Sequence, residues 1–176
     1  NYMTNKIVAV QGNHPSTLNP VTDTSVFLAN EIQKKRYKIF YYDPKDLSII
    51  YSKVIAKGFF IEFNYSNKKF YRILKKQRLD LTKCKYILIR QDPPFNLAYI
   101  STTFILEKIK NRVKIINDPT SIRNISEKLY SVKYLDFMPK TIFTQNIQEI
   151  KNFFKKNKYV ILKPIHSFSG NDIHLL

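Results

Sequence analysis

Apolar residues in this chain gather in short runs, each closed by Asp, Asn, Gly or Pro. Lys6 to Gln11 (K-I-V-A-V-Q) is the first such run and predicts a buried strand. Gly12 to Val21 holds Pro15, Pro20, Asn13 and Asn19 and is a loop by its turn chemistry. Asp23 stands where it can cap a helix reaching about Arg36, with Leu28 and Ile32 one turn apart on the inward side. Lys38 to Tyr42 predicts a second strand, ended by Asp43-Pro44. Strand, helix and strand at these lengths make a βαβ unit, which implies a parallel sheet with a right-handed crossover.

The pattern then changes. Ser48 to Ala56 and Phe59 to Tyr65 are rich in β-branched and aromatic residues on either side of Lys57-Gly58, a hairpin signal. Ser66-Asn67 is placed to turn the chain into a third extended piece, Phe70 to Leu74. These segments are expected as an antiparallel insertion, with Lys68-Lys69 and Lys75-Lys76 on its solvated surface. Lys85 to Arg90 returns to a core strand, and Asn96 opens a helix to about Lys110, with Ile100, Phe104, Ile105 and Ile109 at helical spacing. Val113 to Asn117 predicts one more strand before Asp118-Pro119. This alternation describes a doubly wound α/β domain.

After Asp118 come short helical pieces at 121–124 and 126–129, then a strand expected at Thr141 to Thr144. A helix capped by Asn146 follows to about Lys156, with Ile147, Ile150, Phe153 and Phe154 on its apolar side. Tyr159 to Leu162 and Asp172 to Leu176 predict two further strands around the polar loop Ile165 to Asn171.

The stretch that draws attention is Arg90-Gln91-Asp92-Pro93-Pro94-Phe95. A charged pair sits where a buried strand ends, and in open α/β sheets ligands bind at the carboxyl ends of strands. Taken alone, an Arg-x-Asp is more often an incidental pair on a strand-to-helix turn.

Composition narrows the classes. The chain has 176 residues, 44% hydrophobic and 14% aromatic, enough to bury a core. No apolar run approaches the roughly 20 residues of a membrane span. Only the short run Ile7 to Val10 follows Lys6, so no secretory leader is expected. The single cysteine, Cys84, cannot form an internal disulfide, which fits a reducing cytoplasm, and beside an apolar run it reads as packing. A formal net charge of +17 invites a nucleic-acid reading, but the lysines are spread along the chain and support it only weakly.

Two lysines stand near candidate phosphate chemistry. Lys163 ends a strand and precedes a loop with Ser167, Ser169 and Gly170, whose backbone N–H groups can surround phosphate oxygens. Lys128, on a short helical segment, can supply a second cation. From spacing alone both are ordinary surface lysines, because no Walker pattern is present. His14, His166 and His174 are scattered and make a zinc site implausible.

The segments I-R-Q-D-P-P-F-N (89–96), I-N-D-P-T-S-I-R-N-I-S-E-K-L-Y (116–130), M-P-K-T-I-F-T-Q-N (138–146) and I-L-K-P (161–164) occur in an order and spacing that resembles bacterial glutathione synthetase, a family of ATP-grasp ligases. D-T-S-V-F-L-A-N-E-I-Q-K-K-R-Y (23–37) is similar to that family's first helix. The resemblance spans nearly the whole chain. It implies a Rossmann-like, pre-ATP-grasp substrate domain over residues 4–118, followed by the first, incomplete part of an ATP-grasp domain over 119–176.

The resemblance also implies chemistry. ATP phosphorylates the carboxylate of γ-glutamylcysteine, glycine attacks the acyl phosphate, and glutathione forms with ATP and Mg²⁺ bound. By motif, Lys128 and Lys163 match the lysines on the ATP phosphates, with Ser167, Ser169 and Gly170 in the adjoining loop. Arg90 matches an arginine near the dipeptide, and Asp92 orients Arg90, orients nearby backbone, or touches substrate. A cytoplasmic homo-oligomer is implied as well.

There are departures. The loop after Lys163-Pro164 is glycine-poor, retaining Gly170 alone, and Gln11-Gly12 replaces the family's Asp-Pro after the first strand. The family's Mg²⁺ ligands lie in sequence beyond Leu176, so this chain by itself is expected not to form glutathione. A non-catalytic binding or regulatory module of the same ancestry is the alternative reading, and a basic nucleic-acid-binding protein is the second.

Overall fold

The computed structural model describes residues 6–64, 69–126, 128–167 and 170–176. The chain divides into two compact units, residues 1–123 and 124–176.

In the first unit, strand β1 (Ile7–Gln11) leads through helix α1 (Thr24–Lys34) to β2 (Lys38–Tyr42). A three-stranded antiparallel part follows: β3 (Leu47–Ile50), β4 (Lys53–Phe63) and β5 (Tyr71–Asp80). The chain then resumes with β6 (Tyr86–Ile89), α2 (Leu97–Glu107), β7 (Lys114–Ile116) and α3 (Pro119–Asn124). All seven strands join one sheet in the order β3-β4-β2-β1-β6-β7, with β5 paired to β4. Strands β2, β1, β6 and β7 run parallel, and β4 runs antiparallel to β2, β3 and β5.

Alternation along the strands builds two cores, one on each face. On β1, Ala9 joins Phe40, Tyr42, Ala56, Ile87 and Leu106 of α2. Its neighbours Val8 and Val10 point the other way, to Val26 and Ala29 of α1 with Ile39, Tyr41 and Ile61. A sheet buried on both faces by helices is doubly wound, as the pattern predicts.

Both helix caps form as expected: Asp23 accepts from the Ser25 amide at 2.7 Å, and Asn96 accepts from the Tyr99 amide at 3.0 Å. The inward faces agree with expectation in part. On α1 the buried positions are Ser25, Val26 and Ala29, Ile32 packs against the same core as expected, and Leu28 is half-buried. On α2 they are Thr102, Thr103 and Leu106, with Ile105 packed on the core and Ile109, just past the helix, buried in it, while Phe104 is 59% exposed beneath the Arg123 guanidinium at 3.9 Å. The two threonine hydroxyls donate to the Tyr99 and Ile100 carbonyls at 2.8 and 2.6 Å, which lets them be buried without penalty.

The hairpin expected around Lys57-Gly58 is not there. Strand β4 runs unbroken through both residues, and the turn lies earlier, at Tyr51-Ser52 between the paired Ile50 and Lys53. Both turn residues have positive φ, 46° and 66°, as a two-residue type I′ turn requires. Gly58 has a packing reason instead: a Cβ there would lie 2.3 Å from the Tyr41 carbonyl oxygen. The third extended piece is longer than Phe70 to Leu74, because β5 follows β4 for ten residues, with a register shift beside Leu74. The expected turn at Ser66-Asn67, and Lys68 with it, lie outside the described residues. Cys84 is buried in the core, and burial, then Asp80, pushes its thiol up to about 12, consistent with packing.

The second unit contains a 3₁₀ stretch (Leu129–Phe137), helix α4 (Ile147–Lys156) and the antiparallel pair β8 (Ile161–Leu162) and β9 (His174–Leu175). Asn146 caps α4, accepting from the amides of Gln148 at 2.8 Å and Glu149 at 3.4 Å. No strand forms at Thr141 to Thr144. The threonine hydroxyls bond locally to the flanking backbone: the Thr141 hydroxyl donates to the Pro139 carbonyl at 2.7 Å, and the Thr144 hydroxyl accepts from the Asn146 amide at 3.0 Å.

Candidate functional site

The strand order has one reversal. From β1 the chain crosses to β2 on one side, and from β6 it crosses to β7 on the other, so the loops leaving β1 and β6 part from each other. Such a switch point opens a crevice at the carboxyl ends of the strands. Gly12-Asn13 leave β1 there and Arg90-Gln91-Asp92 leave β6, held together by the Arg90 amide donating to the Gln11 carbonyl at 2.7 Å.

Side chains tie the two loops further. Asn13 Nδ2 donates to Asp92 Oδ2 at 2.8 Å, and the Asp92 amide returns a bond to Asn13 Oδ1 at 3.4 Å. The Tyr41 hydroxyl donates to the Asn13 carbonyl at 2.8 Å. Burial first, then Asp23 and Asp92, raises that hydroxyl well above its ordinary value, so it stays a donor. Gly12 gives the tyrosine room, since a Cβ there would lie 2.5 Å from its hydroxyl oxygen. Asp92 thus holds the β1 loop, and Arg90 has a different anchor.

Arg90 Nε donates at 3.0 Å to Ser25 Oγ in the first turn of α1. This bond uses Nε and does not spend the two terminal nitrogens, the fork that matches a carboxylate. Arg90 itself is exposed. A fixed guanidinium near a helix N-terminus, at the switch point of a parallel sheet, is suited to binding a carboxylate. Behind it, Gln11 is fully buried and donates from Nε2 to Gln91 Oε1 and, at 3.4 Å, to Thr102 Oγ1. Gln11 Oε1 has no hydrogen-bond partner among the described residues.

In the second unit, Lys128 Nζ donates to the carbonyl oxygens of Ser167 and, at 3.5 Å, Ile165. Lys163 follows β8 directly and is exposed. The Ser167 hydroxyl and amide both turn onto the Pro164 carbonyl, at 3.1 and 3.5 Å. Gly170 has φ 77° with no atom within 4 Å of where a Cβ would stand. Lys128 and Ser167 are therefore brought together, Lys163 stands at the foot of the same loop, and Ser169 lies outside the described residues. Among the described residues no three His, Cys, Asp or Glu side chains are arranged to hold a metal ion. No helix among them is long and apolar enough to cross a membrane.

The family model for the N-terminal domain of prokaryotic glutathione synthetase matches residues 7–123. The chain belongs to the prokaryotic glutathione synthetase family. The model for that family's ATP-grasp domain matches residues 127–176. Glutathione synthetase of Brucella melitensis is 39% identical over 163 residues, covering 93% of this chain and 52% of the relative. The Mesorhizobium japonicum enzyme is 36% identical, covering 94% and 53%, and that of Agrobacterium fabrum 34%, covering 94% and 52%. The chain thus spans about half the length of the curated glutathione synthetases it matches.

Asn13, Ser25 and Tyr41 were missed in the sequence, and Gln91 was noticed only as part of its stretch. Their bonds reach across 65 to 80 residues for Ser25–Arg90, Asn13–Asp92 and Gln11–Gln91, and no local pattern marks them. One signal was available: Gly12-Asn13 directly after a buried strand is itself a place for a ligand loop.

Proposed function

We propose that this chain carries the peptide-binding wall and the opening of the nucleotide-binding domain of a glutathione synthetase. ATP would transfer its γ-phosphoryl group to the carboxylate of γ-glutamylcysteine, and the glycine amine would displace phosphate from the acyl phosphate. Arg90 would hold a carboxylate of the dipeptide, with Ser25 fixing its side chain. Asp92 would set the β1 loop through Asn13. Lys128 and Lys163, with the loop containing Ser167, Ser169 and Gly170, would meet ATP phosphates. A cytoplasmic homo-oligomer goes with this reading.

The observation that carries it is Arg90 anchored at the switch point of the sheet, in a chain of this family. Cations held in place before charge develops are what phosphoryl and acyl transfer need most from a protein. The alternative, a binding module without catalysis, draws on Lys128 donating to two loop carbonyls and on the Ser167 donors turned onto Pro164.

Calorimetric titration tests the reading. γ-Glutamylcysteine should bind the chain, and Arg90→Ala should weaken that binding by about tenfold or more, the loss of one charge-assisted carboxylate contact. Absence of dipeptide binding, together with DNA binding that falls steeply with salt, would favour a nucleic-acid-binding protein instead.

A further inference from the structure

The antiparallel side of the sheet carries a half-open cavity of about 630 Å³, a size suited to a small organic ligand. Its lining includes His14, Tyr41, Phe59, Lys57, Lys76 and Arg78. The β4–β5 register explains how these residues meet. Lys57 stands directly opposite Arg78, and Phe59 directly opposite Lys76, so all four side chains share one face of the sheet. Tyr41 lies on that face too, its ring stacked on Phe59 with centroids 6.0 Å apart and an interplanar angle of 11°.

Lys57, Lys76 and Arg78 are solvent-exposed, and two features of their arrangement favour an anion beside them. Like charges directly opposite across a strand pair are destabilising, and Lys57 faces Arg78 with Lys76 beside them. None of the three has an ion-pair partner among the described residues. The acidic lining residues are Asp43, already paired with Lys45 at 3.3 Å, and Asp46. At the rim, the Ser16 amide donates to His14 Nδ1 at 3.2 Å, which places the ring proton on Nε2 as a further donor. Apolar surface lies next to this charge, from Phe59 and Ile73.

We propose that this cavity, which borders the Arg90 loops through His14 and Tyr41, is a second ligand site for a small molecule with an oxyanion group and an apolar body. The Lys57–Lys76–Arg78 triad takes the oxyanion and Phe59 with Ile73 takes the apolar part. The oxyanion is a phosphate or a carboxylate. The competing explanation is that the cations only guard β5, an edge strand, against pairing with other chains.

Amide NMR titrations with phenyl phosphate, phenylacetate and inorganic phosphate distinguish these. Phenyl phosphate or phenylacetate should move the amides of Lys57–Phe59 and Lys76–Arg78, and which of them binds tighter identifies the oxyanion. The aromatic ligand of the preferred kind should bind about fivefold or more tighter than the bare ion, from the apolar area it buries. The double variant Lys57→Gln, Arg78→Gln should weaken binding at least about tenfold, while Arg90→Ala leaves it unchanged. Shifts confined to residues 163–170 or to the Arg90 crevice would overturn the proposal. So would self-association of the double variant with anion binding intact.

Discussion

Gly58 shows how far a single residue's role can differ from its local signature. In the sequence it reads as a turn, because Lys-Gly between two β-rich runs is a hairpin signal. In the fold it sits within β4 at a place no side chain fits, with the Tyr41 carbonyl oxygen and Tyr42 Cβ 2.3 and 2.9 Å from where a Cβ would be. The nearer atom is backbone, so relief requires β2 and β4 to separate. Gly58→Ala should therefore destabilise the protein by about 1–3 kcal/mol, the usual cost of overpacking, although alanine suits a strand better than glycine does. A lowered urea midpoint with an unchanged slope would bear this out; a midpoint at or above the parent's would refute it. The residues of the candidate site divide in the same way. Arg90 and Asp92 draw attention in the sequence because they follow a buried strand directly. Ser25 and Tyr41, which fix them in place, became visible only when the sheet brought distant segments side by side.

Among the elements, the parallel strands and capped helices were legible in the sequence, because burial on both faces and side-chain caps are local signals. The antiparallel extension was legible as an extension but not in its turn. Tyr51-Ser52 adopts φ values of 46° and 66° without the glycine or asparagine that would announce them. Left-handed backbone costs an ordinary residue about 1–2 kcal/mol, so here the β3–β4 register holds the turn against its own preference. The double substitution Tyr51→Asn, Ser52→Gly should remove that conflict and raise stability by about 1 kcal/mol, since Tyr51 is 97% exposed and loses little packing. Thermal unfolding followed by far-UV circular dichroism would register the gain as a higher Tm; a lower Tm would mean that the tyrosine ring contributes contacts outweighing the turn. The missing strand at Thr141 to Thr144 has the opposite lesson. Its β-branched composition satisfies a propensity rule, but the segment is not paired as a strand, and its two threonine hydroxyls bond to the flanking Pro139 and Asn146 backbone.

For the whole molecule, charge sets the response to acid. The chain carries 30 Lys and Arg against 13 Asp and Glu, so each carboxylate protonated leaves the cations less opposed. The strongest carboxylate interactions lie at one place in the first unit, where Glu107 of α2 meets Thr120, Arg123 and Lys110. The Thr120 hydroxyl first, then Arg123 and Lys110, lowers the Glu107 carboxyl from its ordinary 4.5 to about 2. Asp118, bonded to the Ser121 amide at 2.9 Å, is lowered as well. A carboxyl whose folded pKa is depressed adds stability that is complete above its unfolded value and is lost as pH falls toward the folded one. Stability should thus stay level from about pH 8 to 5.5 on this account and fall between about pH 4.5 and 2. Glu107→Gln should be less stable than the parent at pH 7, show a shallower acid decline, and approach it as pH falls through about 2, where the parent's own carboxyl becomes protonated. Urea midpoints for both proteins across that range, at fixed ionic strength so that screening is constant, provide the measurement. Parallel declines, separated by the same gap at every pH, would show that Glu107 contributes through packing alone and that the acid response originates elsewhere in the molecule.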